Sequence, residues 1–189
     1  MTERDWEKRW QQRAEEEIPP PDPWLLAQLP RLTGGAALDL ACGRGRNSLA
    51  LAAAGYRVLA VDIAPSALTR LRQEAERRAL PIETRALDLE AGLPEHPARF
   101  DLILCFYFLQ RDLFAQIRGH LNPGGLFLGR SFCHRGEGLP QEEIIYRPGE
   151  LREYFSDWEI LAYDEGTAVS NRGGTLAGIL ARKPFGSPA

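Results

Sequence analysis

The architecture of this chain is set by one segment, Ala36-Ala37-Leu38-Asp39-Leu40-Ala41-Cys42-Gly43-Arg44-Gly45. Its first six residues are mostly apolar, which is typical of a short buried strand, and the glycines that follow indicate a tight turn. Gly43 and Gly45 allow a sharp bend and the close approach of a ligand to the backbone. The segment therefore predicts a strand that leads into a ligand-binding turn.

The pattern of a strand followed by a helix repeats along the chain. Further strands are predicted at 56–63, 82–87, 100–106, 126–133, 158–163 and 175–181, and helices at 47–54, from 65, at 109–121 and at 150–155. Repeated βα units predict an α/β fold, a Rossmann-like, doubly wound, mostly parallel seven-stranded sheet with helices on both faces. No long helix separates the last two strands, so we expect an antiparallel edge strand.

The composition limits the possible partners. The 189 residues carry a formal net charge of −3 and are 44% hydrophobic, with a pI near 5.7. An acidic chain without clustered positive charge predicts no nucleic-acid partner, and without an apolar run near ~18 residues we expect no membrane partner. Three widely spaced cysteines and a charged start predict no disulfide framework, no metal site and no secretory signal, which fits a reducing cytoplasm. The sequence has no exposed apolar stripe that stands out from the core pattern, so it leaves the oligomeric state open.

Acidic residues follow three successive predicted strands. A dinucleotide turn of the form G-x-G-x-x-G would have glycine where this chain has Ser48. The Asp39 carboxylate would repel a pyrophosphate, whereas it suits S-adenosylmethionine, whose sulfonium and ammonium groups are cationic. Asp62 can accept hydrogen bonds from both ribose hydroxyls of either cofactor. Asp88 is placed to accept from an adenine amino group or, alternatively, to cap its own loop.

Four segments of the chain resemble motifs of the class I S-adenosylmethionine-dependent methyltransferases. They are residues 38–47, 58–68, 100–105 and 121–127, and the resemblance runs in order from residue 36 to about 182. Ala41 is a departure, because the family often has glycine there. The resemblance implies the fold given above, S-adenosyl-L-methionine as cofactor and S-adenosyl-L-homocysteine as product.

The resemblance also implies which residues surround the cofactor. Asp39, Gly43 and Gly45 are expected around the methionine part. The full set of expected cofactor-binding residues is Trp10, Asp39, Ala41, Cys42, Gly43, Gly45, Asn47, Asp62, Ile63, Asp88, Leu89, Cys105 and Phe106. Asp62 and Ile63 would hold the ribose and one adenine face, Asp88 and Leu89 the adenine edge, and Cys105 and Phe106 the middle of the cofactor.

The N-terminal residues are similar to those of one branch of the family. A polar helix is predicted over residues 2–17, with Trp6 and Trp10 on one face, and a proline-rich connector follows at 19–23. Trp-x-x-x-Trp before such a connector resembles the small-molecule branch that includes the tellurite-resistance and thiopurine methyltransferases, in which this segment folds over the cofactor. This implies an N-terminal helical lid and connector over 1–35, a methyltransferase domain over 36–183 and a flexible tail over 184–189. Packing of both rings on the core is the alternative.

No residue stands out as the catalytic base. Soft sulfur, selenium, tellurium or arsenic acceptors are nucleophilic without one, whereas oxygen or nitrogen acceptors must lose a proton. The weak catalytic candidates are His134, Tyr107 and Arg111. Arginines beyond the fourth strand could bind a small acid or simply face solvent, and they are Arg111, Arg130, Arg135 and Arg147.

The cysteines allow two interpretations. Cys42, Cys105 and Cys133 are predicted at or just past the carboxyl ends of strands one, four and five, where three thiols could bind a metalloid. Burial as small hydrophobic residues explains them equally simply.

The sequence leads to one main functional hypothesis and two alternatives. The first is a cytoplasmic methyltransferase that acts on a small-molecule acceptor, a soft atom or a small acid. The alternatives are an NAD(P)-dependent oxidoreductase and a catalytically silent S-adenosylmethionine-binding module.

Overall fold

The structure is a computed structural model that describes residues 2–94, 99–134, 145–170 and 173–186. It contains two compact units, Met1–Pro94 and Glu95–Ala189. The strands of both units belong to a seven-stranded sheet in the order β3-β2-β1-β4-β5-β7-β6. This order confirms the predicted doubly wound α/β fold.

The first unit contains three parallel strands and four α-helices. The strands are β1 (Gly35–Leu40), β2 (Tyr56–Asp62) and β3 (Ile82–Ala86), and β2 pairs in parallel with both of the others. The helices are α1 (Glu3–Gln11), α2 (Pro23–Gln28), α3 (Arg46–Ala53) and α4 (Pro65–Arg77), and short 3-10 helices lie at Leu29–Arg31 and Leu89–Ala91. The apolar face predicted for α4 is buried through Ala67, Leu68, Leu71 and Ala75.

The second unit contains the other four strands. These are β4 (Phe100–Phe106), β5 (Leu121–His134), β6 (Glu159–Val169) and β7 (Thr175–Arg182), with α5 (Leu113–His120) and α6 (Glu150–Glu153). β4 and β5 are parallel, and β7 lies antiparallel between β5 and β6. The predicted antiparallel pairing of the last two strands is therefore present. β6 continues through residues 164–169, which the sequence predicted as a connecting segment.

Two predicted elements differ from the structure in their limits. The strand predicted at 126–133 begins earlier, at Leu121, and residues 122–125 form a bulge within β5, where the pairing with β4 shifts between Phe100 and Leu102. The N-terminal helix was predicted to reach residue 17 but ends at Gln11. Beyond Gln11 the backbone forms i→i−3 turns instead, and the carbonyl oxygens of Arg13, Glu16 and Glu17 accept hydrogen bonds from the Arg44 side chain.

No helix among the described residues is long and apolar enough to cross a bilayer.

Candidate functional site

The glycine turn between β1 and α3 has three residues in the left-handed region of backbone space. Ala41 has a φ of 54°, Gly43 of 55° and Gly45 of 77°. Glycine adopts this conformation without strain, whereas a residue with a Cβ does not. A Cβ at Gly45 would collide with the methyl groups of Leu71 on α4, so this glycine is needed for packing as well as for the turn. Ala41 holds a strained backbone where the family often has glycine.

Asp39 lies on β1 beside the turn and is 2% exposed. Its Oδ2 accepts a hydrogen bond of 2.5 Å from the Ser48 hydroxyl on α3. Burial raises the pKa of Asp39 to about 7, an effect that Asp62 reinforces and that Ser48 and Arg46 partly offset. A carboxylate that is hard to ionise alone becomes easier to ionise next to a cation. The site is thus built to favour a positively charged group.

Asp62 ends β2 and connects that strand to the glycine turn. Its Oδ2 accepts from the Gly43 backbone N–H at 2.7 Å, and its Oδ1 accepts from Ala64 N–H at 3.0 Å. Burial raises the pKa of Asp62, and the backbone N–H groups of Ala64 and Gly43 lower it in part. Each oxygen keeps a lone pair for a further donor, which leaves the side chain able to accept from hydroxyl groups. Half-buried Ile63 follows it.

Asp88 caps the short helix at Leu89–Ala91, because its side chain accepts from Glu90 N–H at 2.9 Å. The capping role that the sequence left open is therefore present. Asp88 is exposed and Leu89 is buried. The adenine contact predicted for these two residues stays a prediction.

Asn47 and its neighbour hold the proline-rich connector. The Asn47 Oδ1 accepts from the backbone N–H of Asp22 at 2.9 Å, and Arg46 pairs with the Asp22 carboxylate at 3.2 Å. Asp22 is 1% exposed and also caps α2 through Trp24 N–H. Sequence reasoning missed Asp22, although Asp before Pro-Trp is a recognisable N-cap signal.

The N-terminal helix lies on the glycine turn. Trp10 is half-buried, and its ring carbon Cζ2 would be 3.0 Å from a Cβ placed at Gly43. None of the residues of α1 is buried, so neither Trp6 nor Trp10 is a core residue. Glu7, which the sequence analysis did not single out, accepts hydrogen bonds from the backbone N–H and hydroxyl of Ser66 at 3.1 and 3.0 Å. Cys42 lies in the same turn, where burial raises the pKa of its thiol.

In the second unit, the carboxyl end of β4 carries Cys105, Phe106 and Tyr107. Cys105 is 5% exposed and Phe106 is 7% exposed, and the Cys105 thiol contacts the Phe108 carbonyl at 3.4 Å. Tyr107 has a φ of 59°, and its N–H donates to the Arg130 carbonyl at 2.8 Å. A bulky residue in this region of backbone space is strained, and such strain is concentrated at functional sites. The Tyr107 ring packs against Phe132 with the ring centroids 5.6 Å apart.

Two of the four arginines considered for an anionic acceptor, Arg111 and Arg147, bind Glu150. Arg111 forms a two-pronged ion pair with Glu150, with distances of 2.6 and 3.0 Å, and Arg147 binds the same carboxylate. Burial of Glu150 would raise its pKa, but the hydrogen bonds from Arg111 and Arg147 lower it to about 2. Arg130 is buried on β5. His134 ends β5, its side chain is not described, and Arg135 lies outside the described residues.

The cysteines are free thiols, two of them buried. Cys133 contacts the Thr175 hydroxyl at 3.4 Å. Within the described residues, no group of three or more His, Cys, Asp or Glu side chains could hold a metal ion. For Cys105 and Cys133, burial matches the interpretation as small core residues.

Comparison with known proteins agrees with this arrangement. A family model described as a methyltransferase domain matches residues 37–125, which include the glycine turn, Asp62 and Asp88. This match spans just under half of the chain, and together with the strand order it supports a class I S-adenosylmethionine-dependent methyltransferase.

Two bacterial proteins illustrate the similarity of the chain to known proteins. Hemagglutinin 1 of Eikenella corrodens is 35% identical over 146 residues, which cover 70% of this chain and 46% of that protein. The probable S-adenosyl-L-methionine-dependent methyltransferase TehB of Haemophilus influenzae is 33% identical over 138 residues, covering 68% and 47%. The chain thus spans about half the length of these curated relatives. The crystal structure of that TehB matches 94% of this chain and 67% of its own, with a TM-score of 0.75 and 26% identity.

Proposed function

We propose that this chain is an S-adenosylmethionine-dependent methyltransferase that acts on a small molecule. The observation that carries the proposal is the buried Asp39 carboxylate beside the glycine turn, with its pKa raised to about 7 and a single side-chain hydrogen bond, from Ser48. Such a group is stabilised by a cationic ligand and destabilised by a phosphate. The match to a methyltransferase domain supports the same conclusion.

The residues of the first unit fit the cofactor by their chemistry. Asp39 would bind its ammonium group, and Asp62, which Gly43 N–H holds in place, would accept from the ribose hydroxyls. Ile63 and Leu89 would supply apolar contacts to the base, and Trp10 would exclude water from the turn. Cys105 and Phe106 stay predictions from the family resemblance. When bound, S-adenosylmethionine supplies an electrophilic methyl group on a cationic sulfur.

The state of the second unit's arginines favours a soft acceptor over a small acid. Arg111 and Arg147 share the one Glu150 carboxylate, which balances one of their two positive charges, and the two-pronged pair means that Arg111 is already bound to an anionic group of the protein. Tyr107, Phe106 and Phe132 present aromatic rings near the strained end of β4. A neutral sulfur, selenium, tellurium or arsenic centre would be compatible with such rings and needs no proton removal. Tyr107 would then orient the acceptor rather than act as a base.

The remaining parts of the proposal concern the ends of the chain and its location. Residues 1–35 would act as a lid over the turn, and residues 184–189 as a tail. The free thiols fit a reducing compartment, so we place the enzyme in the cytoplasm.

The test combines ligand binding with turnover. Titration calorimetry with S-adenosylhomocysteine should give binding that Asp39→Asn weakens at least tenfold, while NADH should give none. Transfer of a labelled methyl group would then be measured with thiols, selenite, tellurite, arsenite and small acids. Tight NADH binding without S-adenosylhomocysteine binding would favour an oxidoreductase. Binding of S-adenosylhomocysteine without methyl transfer to any acceptor would favour a catalytically silent binding module.

A further inference from the structure

Arg44, between the two glycines of the turn, makes contacts that the proposed chemistry does not use. Its side chain is 6% exposed. One terminal nitrogen, Nη1, donates to the carbonyl oxygens of Arg13 at 2.7 Å and Glu16 at 2.9 Å. The other, Nη2, donates to the Glu17 carbonyl and to the Glu16 carboxylate, both at 3.4 Å. The guanidinium therefore binds the irregular segment that follows α1.

The same guanidinium also lies against Trp10. Its central carbon is 5.5 Å from the centre of the Trp10 ring, within the range of a cation–π contact. The same ring also lies close to the backbone of Gly43, which precedes Arg44 in the chain. Arg44 thus reaches out of the turn and holds both the ring that covers the turn and the chain that follows it.

The N-terminal strap, defined here as residues 3–17, is held by half-buried side chains and by polar contacts. None of the α1 residues is buried. A further polar anchor of the strap is Glu7, which accepts from Ser66 N–H in the first turn of α4. The N-cap residue of α4, Ala64, provides no side-chain hydrogen bond, so Glu7 caps this helix from another element. These polar contacts act together with the half-buried rings of Trp6 and Trp10 to keep the strap docked.

We propose that Arg44 is a positioning residue that clamps the N-terminal strap onto the glycine turn, holds Trp10 against Gly43 and thereby sets the affinity for the cofactor. This inference rests on the proposed function, since it concerns the same cofactor site. The docked strap is the binding-competent state, so every loss of docked population weakens the apparent affinity in proportion.

The experiment compares Arg44→Gln and Arg44→Lys with the unchanged chain. The matched control is Arg57→Gln, an exposed arginine on β2. Two measurements are made on each full-length protein, and circular dichroism melting verifies that each is folded. The first is the rate of trypsin cleavage after Lys8, Arg9 or Arg13, followed by intact mass. The second is S-adenosylhomocysteine affinity by calorimetry, with kcat and KM for S-adenosylmethionine once an acceptor is known.

The clamp predicts a specific pattern of results. Arg44→Gln should cleave at least tenfold faster within the strap, bind S-adenosylhomocysteine at least tenfold more weakly, and raise KM more than it lowers kcat. Arg44→Lys keeps the positive charge but loses the planar fork of the guanidinium, so its cleavage rate and its affinity should lie between those of the unchanged chain and those of Arg44→Gln. Saturating S-adenosylhomocysteine should slow cleavage of the unchanged protein, because a ligand that binds the docked state more tightly increases the population of that state. The Arg57→Gln control should match the unchanged chain.

Two results would overturn the inference. One is wild-type affinity in Arg44→Gln, and the other is wild-type protection of its strap. Trp10→Ala gives a second route that leaves the turn sequence intact, and it should reproduce the loss of affinity. If the unchanged protein binds no S-adenosylhomocysteine, the proposed function fails together with the link to affinity. If it binds and Arg44→Gln binds equally well, only the clamp fails.

Discussion

Cofactor binding should depend on pH through Asp39. In the ligand-free protein, burial raises the pKa of this carboxyl to about 7, so at pH 5.5 it is mostly protonated. A cationic ligand binds the ionised form, and binding must therefore release a proton below pH 7. We expect S-adenosylhomocysteine affinity to increase by about thirtyfold between pH 5.5 and pH 8 and to level off above the folded-state pKa, if the bound carboxylate stays ionised throughout.

The assay is calorimetry at five pH values, each in two buffers of different ionisation enthalpy. The difference between the buffers counts the protons released, which should approach one near pH 6 and zero near pH 8.5. Asp39→Asn is the matched variant, because it keeps the shape and cannot ionise. Its weaker binding should be nearly independent of pH over this range. Retention of the full pH dependence in Asp39→Asn would refute the role given to this carboxylate.

The raised pKa of Asp39 also affects the free energy of unfolding, which should fall with increasing pH, whereas the affinity for the ligand should rise. Because the folded state holds the Asp39 proton up to about pH 7 while the unfolded chain loses it near its ordinary value, this group makes the free energy of unfolding fall as pH rises between them. The full effect is at most about 4 kcal/mol. Denaturant melts of the ligand-free protein at pH 5.5 and 8 should show the decrease, and Asp39→Asn should reduce it.

Three further predictions concern the turn and the second unit. Ala41→Gly relieves a φ of 54° and should raise the free energy of unfolding by about 1 kcal/mol, measured by urea denaturation; an unchanged midpoint would contradict the strain. Gly45→Ala places a Cβ against Leu71 and should cost about 2–4 kcal/mol in the same assay, with a lowered melting temperature. Arg111→Met leaves Glu150 buried with Arg147 as its remaining cation and should cost about 3 kcal/mol, but clearly less in a Glu150→Gln background; a loss of turnover at unchanged stability would instead indicate that Arg111 acts on the acceptor.

The succession of strands and helices along the chain and the position of the glycine turn were predictable because they depend on local patterns. Apolar runs of strand length and helical spacing are written in consecutive residues, as at 36–45 and in α4. Asp39 and Asp62 were singled out because each follows or lies within a predicted strand next to that turn. Their chemistry could be stated before any geometry was available, since charge repulsion excludes one ligand class and favours another.

The limits of α1 were not predictable in the same way. A helix over residues 2–17 agrees with local propensity. The sequence pattern does not show that the Arg44 side chain donates a hydrogen bond to the carbonyl oxygen of Arg13, 31 residues away in the chain. The sequence pattern also left open whether Arg111 faces solvent or the methyl acceptor. Its partner Glu150 is 39 residues away, and only folding brings the two side chains together.

Sequence alone determined the class of fold and the type of ligand, because periodicity and the sign of a buried charge are properties of neighbouring residues. Tertiary structure decided which polar groups are already satisfied: the arginines that share Glu150, the carboxylate of Asp62 held by Gly43 N–H, and the strap carbonyls bound by Arg44. These pairings depend on contacts between residues far apart in the chain, where the cost of burying a charge selects the partner.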